Sequence, residues 1–302
     1  MSSVVTIGSY DGVHRGHQKI LKEIREISKK NSLTSVVIYF PIPPRLYLSG
    51  NYTSNLITTP CEREKLIHSY GIDKVVKLDF DLKLSRMHAL DFFTNYIIKV
   101  FAPKFIVVGK DFSLGRDKEA NSRWLKEMAQ INGITCKVLN FVKFRDHKIS
   151  SSLIRKFLHH GLIKDANCCL GRQYFIEGTV VKGKQIGKRL GFPTANLKVD
   201  PTKILPSGVY AVVVEINGIQ YFGVCNIGFR PTIEYGVKNK IAEVHILDFN
   251  MDIYGKKIIV KFVDKIRNEK KFAGLQLLKE QIKRDITTAK KIFKTETYEI
   301  YS

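Results

Sequence analysis

The sequence predicts two domains in tandem. The first is an α/β domain on a mainly parallel sheet; the second is β-rich, an antiparallel barrel or sandwich that ends in a helix. Three observations carry this reading. A chain of 302 residues, 44% of them apolar, exceeds one small module and can fill two cores. Through the first half, short apolar runs alternate with amphipathic stretches, the pattern of strand–helix–strand units. Beyond Gly171 the apolar runs crowd together and are separated by Gly, Asn and Pro, as in antiparallel strands joined by turns.

Taken in order, residues 4–8, 35–39, 74–79 and 105–109 read as buried strands, because each is a short apolar run bounded by turn or charged residues. Residues 17–31 read as a helix with Ile20, Ile24 and Ile27 on one face and Lys22, Glu23, Arg25 and Glu26 elsewhere. Residues 84–100 and 122–131 carry helical spacing as well. In the second half, residues 208–216, 219–226, 242–247 and 257–263 read as strands. A final helix is expected where Leu275, Leu278, Ile282, Ile286, Ala289 and Phe293 recur at intervals of three and four. The change in texture falls between residues 166 and 174, which gives domains 1–168 and 169–302. No repeat or low-complexity linker separates them.

Composition excludes several classes. No run approaches the roughly 18 apolar residues of a membrane span, and residues 1–11 lack the basic leader and apolar block of a secretory signal. Five cysteines, with no C-x-x-C spacing, argue against a disulfide scaffold or a zinc ribbon and for a reduced, cytoplasmic protein. The formal net charge is +22. Residues 1–170 hold 27 basic and 15 acidic side chains and residues 171–302 hold 23 and 13, so the excess is spread evenly. A nucleic-acid arm would concentrate it, and no aromatic RNA-stacking signature is present. A polyphosphate substrate suits such a surface.

In the first half the strongest signal is Thr6-Ile7-Gly8-Ser9-Tyr10-Asp11-Gly12-Val13-His14-Arg15-Gly16-His17. It leaves a buried strand, crosses a glycine-containing turn and enters a helix whose first N–H groups and dipole favour an anion. Gly8, Gly12 and Gly16 allow close backbone approach, and His14 and His17 can point into one phosphate pocket. The string, with Asp11 in its turn, resembles the nucleotide-binding signature of the H-x-G-H nucleotidyltransferase superfamily. Ser150-Ser151-Ser152-Leu153-Ile154-Arg155 resembles that superfamily's second phosphate motif, which implies that Ser151, Ser152 and Arg155 bind the β- and γ-phosphates.

The second half offers Gly183, Gly187 and Gly191, spaced by four, with Lys184, Lys188 and Arg189 between them, running into Pro193-Thr194-Ala195-Asn196. Glycines let backbone amides approach phosphates, and the hydroxyl of Thr194 and amide oxygen of Asn196 can ligate Mg²⁺. No G-K-[ST] opens a helix, so this is not a Walker loop. Downstream, alternation puts Glu243 and His245 on one face of a strand and Val244 and Ile246 on the other. A carboxylate facing the site can accept a substrate hydroxyl proton. On spacing alone, the glycine stretch also reads as a flexible basic hairpin and Glu243 as a solvent-facing residue.

These blocks, in this order, resemble the bifunctional prokaryotic riboflavin kinase/FAD synthetase family along nearly the whole chain. Val107-Val108-Gly109-Lys110-Asp111-Phe112-Ser113-Leu114-Gly115 is similar to its flavin-side motif, and Leu170-Gly171-Arg172-Gln173-Tyr174 to its junction. Gly191-Phe192-Pro193-Thr194-Ala195-Asn196, the stretch 226–232, Tyr254-Gly255 and Arg267-Asn268-Glu269-Lys270-Lys271-Phe272 are similar to its kinase half. The resemblance implies a Rossmann-like nucleotidyltransferase domain, then a six-stranded kinase barrel with a C-terminal helix. It implies ATP and Mg²⁺, with riboflavin converted to FMN at the barrel and FMN to FAD, releasing pyrophosphate, at the α/β domain. It assigns Glu243 as base for the ribityl 5′-hydroxyl, Thr194 and Asn196 to Mg²⁺, and Arg267 through Phe272 to a loop over flavin. Asp111 and Phe112 would lie on the flavin side of the first site, where His14, His17, Ser151 and Arg155 handle ATP.

Ile42, Leu114, Ala120-Asn121 and Leu153 depart from the family pattern, all in the adenylylating half. They motivate a second reading, a riboflavin kinase with a weak or lost adenylyltransferase. The net charge motivates a third, a basic nucleic-acid-binding protein. The sequence leaves a homo-oligomer open.

Overall fold

The computed structural model describes residues 2–50, 52–183, 187, 190–230 and 239–295. The chain forms two compact units, Met1–Ser151 and Ser152–Ser302.

In chain order, the strands of the first unit are β1 Ser3–Gly8, β2 Thr34–Tyr39, β3 Lys74–Lys77, β4 Pro103–Gly109, β5 Ser113–Leu114, β6 Ala120–Asn121, β7 Thr135–Leu139, β8 Lys143–Phe144 and β9 His147–Lys148. Five of them make a parallel sheet in the order β3-β2-β1-β4-β7, while β5–β6 and β8–β9 are short antiparallel ribbons. Alternation within the strands feeds two cores. Val5, Ile7, Val36, Ile38, Ile106 and Val108 pack with Phe93, Ile97 and Leu125 on one face. Val4, Val37, Tyr39 and Val107 pack with Leu21, Ile24 and Ile67 on the other. Burial on both faces is why these strands read as unbroken apolar runs.

The chain runs outward from β1 to β2 and β3, then returns to the other side of β1 with β4. The carboxyl ends of β1 and β4, at Gly8 and Gly109, therefore flank the point where the strand order reverses, the usual crevice for ligands in such sheets. The helix Arg15–Asn31 starts beyond Gly8.

Three elements differ from the sequence reading, the first being β3, read as a buried strand but an edge strand whose four residues are exposed or half-buried. The helix expected over 84–100 is divided into Leu82–Ser85 and a second helix that starts at Ala89 and contains a π-helical stretch, Phe93–Ile98. The carboxylate of Glu119 takes the Ala89 N–H at 2.5 Å and pairs with His88, so a distant side chain fixes the new start. Strand β7 lacked a clear signal because its Thr135-Cys136-Lys137-Val138-Leu139 is half polar.

The second unit holds the helices that end at His159 and span Ile163–Leu170, then β10 Phe175–Val181, β11 Ala195–Val199, β12 Gly208–Ile216, β13 Ile219–Arg230, β14 Asn239–Ile246 and β15 Lys257–Arg267, and the helix Leu275–Thr295. The six strands close into an antiparallel barrel in the order β10-β11-β14-β13-β12-β15. Closure follows from β15, whose eleven residues pair with both β10 and β12. Its interior is filled by side chains such as Tyr210 and Phe262, which meet edge to face at 5.2 Å. Val209, Ala211, Val213 and Val224 point outward and are covered by Ala289 and Phe293 of the last helix. Phe293 stacks on Phe222 with centroids 4.1 Å apart. Asn167, on the helix Ile163–Leu170, is tied to the barrel: its amide nitrogen donates to Phe262 O at 2.9 Å and its oxygen accepts Tyr174 N–H at 2.6 Å.

Candidate active sites

The turn after β1 carries His14 into the N-cap position of the helix Arg15–Asn31, where its Nδ1 accepts the N–H of His17 at 3.3 Å. An Nδ1 that accepts leaves the ring proton of neutral His14 on Nε2, which makes Nε2 the donor. His14 and His17 stack face to face, with centroids 3.6 Å apart and planes 15° from parallel. Both line a pocket of about 70 Å³ with Gly16, Gly109, Asp111, Asn140 and Lys148. The helix N-terminus and two imidazoles thus converge on one space, as charge stabilisation at a phosphate requires.

Asp11 plays a different part. It and Arg63 form an ion pair at 3.0 Å in which both side chains have 0% exposure. Asp11 also accepts the N–H groups of Ile57 and Thr58, and Arg63 donates to the carbonyls of Ser9, Phe40, Pro41 and Thr58. The carbonyl of Asp11 in turn accepts the hydroxyl of Ser151 at 2.8 Å. Fully enclosed, Asp11 shapes the loops at the carboxyl ends of β1 and β2 rather than reaching into the pocket. Gly12, at φ +85°, gives its N–H to Thr58 Oγ1 at 2.9 Å, a backbone conformation that a side chain would strain.

Gly8 is the last residue of β1 and Phe112 packs on the sheet core; neither lines the pocket, whereas Asp111 does and is paired with Lys148. Ser152 and Arg155 follow Ser151 on its helix, within the second unit. Three of the departures noted above have structural partners. Leu114 and Ala120 face each other across the β5–β6 ribbon and are buried in the sheet core. Asn121 caps the helix Ser122–Ile131 by accepting the N–H groups of Arg123 and Trp124.

The second site lies on the outside of the barrel. On β14, Glu243 stands opposite Asn196 of β11 on one side and Asn226 of β13 on the other. The same outward face carries His245 next to Glu243 and Val224 next to Asn226, and with Thr194, Gly187, Arg267 and Phe272 these residues line a cleft of about 240 Å³. Leu278, Ile282, Asp285 and Ile286 of the last helix complete its wall. Buried Asn196 has an amide oxygen with no hydrogen-bond partner among the described residues. Gly183 is where it is because the Asn196 side chain lies against it: a Cβ there would sit 2.3 Å from Asn196 Nδ2. Gly187 packs on Thr194, and Gly191 falls in the exposed turn before Phe192. Lys184, Lys188 and Arg189, expected to add charge to this loop, lie outside the described residues.

Arg267 is held by Asp285 through three contacts, Nε to Oδ1 at 2.9 Å and to Oδ2 at 3.1 Å, and Nη2 to Oδ2 at 2.8 Å. Gln281 supports Asp285 at 2.8 Å, and the guanidinium lies 5.7 Å from the Phe272 ring centre. The pair joins the end of β15 to the last helix on either side of the 268–274 loop. Asp285, Gln281 and Asn226 were missed in the sequence because their partners are remote; the i, i+4 spacing of Gln281 and Asp285 was the available hint. On the barrel's inner side, burial pushes the Cys225 thiol well above the usual range and the nearby Glu243 charge adds to it, which favours the protonated thiol.

Known proteins agree with this layout. The riboflavin kinase family model matches residues 170–293 and the FAD synthetase model residues 1–153. A bifunctional riboflavin kinase/FMN adenylyltransferase of Buchnera aphidicola subsp. Schizaphis graminum is 38% identical over 97% of this chain and 94% of its own length. The one from Bacillus subtilis is 35% identical over 96% of this chain and 92% of its own. A crystal structure from Streptococcus pneumoniae, described as a macrolide-efflux protein, superposes with a TM-score of 0.86 at 33% identity, covering 96% of this chain and 94% of that one. Among the described residues no helix is long and apolar enough to cross a membrane. With both models matched in this order and relatives aligned from end to end, the chain belongs to the bifunctional riboflavin kinase/FMN adenylyltransferase family.

Proposed function

We infer that the chain makes both FMN and FAD: it phosphorylates riboflavin with ATP at the barrel and adenylylates FMN at the parallel sheet. The observation that carries the reading is the register Asn196–Glu243–Asn226 across three strands, with Glu243 and Asn226 lining a cleft walled by the last helix. In the kinase step Glu243 takes the proton of the riboflavin 5′-hydroxyl as its oxygen attacks the γ-phosphorus, and ADP leaves. The orphaned amide oxygen of Asn196 suits a hard cation, and with the Thr194 hydroxyl it would hold Mg²⁺. The ion would draw its remaining ligands from nucleotide phosphates and water. Bound there, Mg²⁺ supplies charge neutralisation to the phosphates. Gly183, Gly187 and Gly191 shape the backbone around them, and the loop from Arg267 to Phe272 borders the flavin.

In the second step an FMN phosphate oxygen attacks the α-phosphorus of ATP and pyrophosphate leaves. His14 and His17 donate to the charge that develops, with Gly16 and the helix N-terminus beside them. Ser151, Ser152 and Arg155 would bind the leaving phosphates, and Asp111, which lines the pocket, would face the flavin, with Phe112 packed on the sheet core behind it. Gly8, Asp11 and Gly12 build the turn that presents the histidines. We assign residues 1–168 to adenylylation and 169–302 to the kinase. All five cysteines are free, which fits a reducing, cytoplasmic setting where ATP and flavins meet.

The test is a single incubation of pure protein with riboflavin, ATP and Mg²⁺, with products separated over time. FMN should appear first and FAD after it. FMN without FAD would overturn the second half of the reading, and neither product would overturn both.

A further inference from the structure

His245 sits two residues from Glu243 on the same outward face of β14, and it lines the cleft. Pairing between β11 and β14 runs from Leu197–Ala242 through Asn196–Glu243 to Ala195–Val244 and stops there. One more step would bring Thr194 opposite His245. In place of that backbone pair, the imidazole reaches past Thr194 and its Nδ1 meets the carbonyl of Pro193 at 2.8 Å. A carbonyl can only accept, so Nδ1 donates. The ring also meets Phe192 edge to face, centroids 5.7 Å apart. One side chain therefore grips both residues that precede Thr194, at the point where the ladder releases the backbone.

We infer that His245 is a positioning residue for the nucleotide end of the cleft: its Nδ1–H···O bond to Pro193 sets the turn that presents Thr194. The inference rests on the reading of this cleft as the kinase site. Proline itself offers the turn no N–H, so the Pro193 carbonyl is the backbone group through which a neighbouring strand can hold it. The Thr194 hydroxyl stays aligned with Asn196 only while that turn keeps its place. His245 touches no reacting atom in this role, and its effect reaches phosphate through Thr194.

Two variants of the full chain separate the bond from the ring. His245→Phe keeps an edge contact with Phe192 and removes the donor. His245→Asn supplies a side-chain N–H at the position of Nδ1. Hydrogen exchange of residues 190–197 without any ligand, and the ATP KM and kcat of FMN formation, are read for each. Expected for His245→Phe are faster exchange confined to that stretch and a KM for ATP raised roughly 3- to 10-fold, the scale of one hydrogen bond. Its kcat should change less, and FAD formation from supplied FMN should hold at the wild-type rate. His245→Asn should restore exchange and KM. Wild-type exchange and KM in His245→Phe would overturn the inference, as would an Asn variant as impaired as the Phe variant, or faster exchange throughout the barrel. A wild-type protein that makes no FMN would instead sink the reading of the cleft, and the exchange measurement would still decide whether His245 holds the turn.

Discussion

Asn196 and Glu243 face each other across the β11–β14 ladder, one with a buried amide oxygen that no group among the described residues satisfies, the other a carboxylate at the cleft. Neighbours in register on a closed barrel cannot drift apart without breaking strand pairs. The spacing between the Asn196 amide and the Glu243 carboxylate, the proposed ion-holding oxygen and proton acceptor, is thus fixed by backbone hydrogen bonds rather than by loops.

Replacing Glu243 by Gln keeps the size of the side chain and removes its basicity. FMN formation should fall by roughly 10²- to 10⁴-fold, the usual contribution of a positioned general base. FAD formation from supplied FMN should stay near wild type. Steady-state assays of the two reactions on one preparation check this, and an unaltered kinase rate would dismiss the carboxylate as base.

His14→Ala reverses the pattern. It removes both the cap on His17 N–H and a donor at the pocket, so FAD formation should drop by roughly 10²-fold or more. Riboflavin phosphorylation should continue. Equal loss of both activities would point to misfolding rather than to loss of a donor.

Gly183→Ala tests the packing behind the Asn196 amide that we propose holds the ion. Its methyl group would lie 2.3 Å from Asn196 Nδ2, so Asn196 must turn or the strand end must shift. The Mg²⁺ concentration for half-maximal FMN formation should rise, with little change in the thermal midpoint. A variant with wild-type Mg²⁺ dependence would show that this close approach has no bearing on the ion.

Asp73 provides a pH test away from both sites. Burial acts to raise its pKa but is outweighed by bonds from the Ser35 hydroxyl and N–H, the charge of Arg25 and the Ser28 hydroxyl, so the net shift is downward. The folded chain then binds this proton more weakly than the unfolded chain. The stabilisation is complete above the ordinary Asp value of about 3.9 and fades as pH falls through the lower folded value. Asp73→Asn should be less stable than wild type near neutrality, and the gap should close on acidification. Urea midpoints measured across that range decide it; a gap independent of pH would mean the carboxylate's charge is irrelevant.

Much of this could be read from the chain because the relevant spacings are local. The strand–turn–helix around His14 and His17 and the shared face of Glu243 and His245 follow from sequence periodicity, and both stand in the structure as expected. The closure of the barrel was not local: it depends on β15 pairing with strands at both ends of the domain. Arg63 was hidden for a similar reason. In sequence it is one more base on a short helix, and only the meeting of the loops at Ser9, Phe40 and Thr58 gives its guanidinium enough acceptors to be buried. Asp285 looks like an ordinary surface acid until Arg267 arrives from the end of β15.

The last helix serves the barrel twice: Ala289 and Phe293 seal its surface, while Leu278, Ile282 and Ile286 form a side of the cleft. Protease clipping at Lys283 or Arg284 during purification would therefore blunt riboflavin turnover while FAD production from added FMN carried on. A batch certified on the second reaction alone would pass as sound. Quality control for this enzyme belongs with the vitamin, not with its phosphate ester.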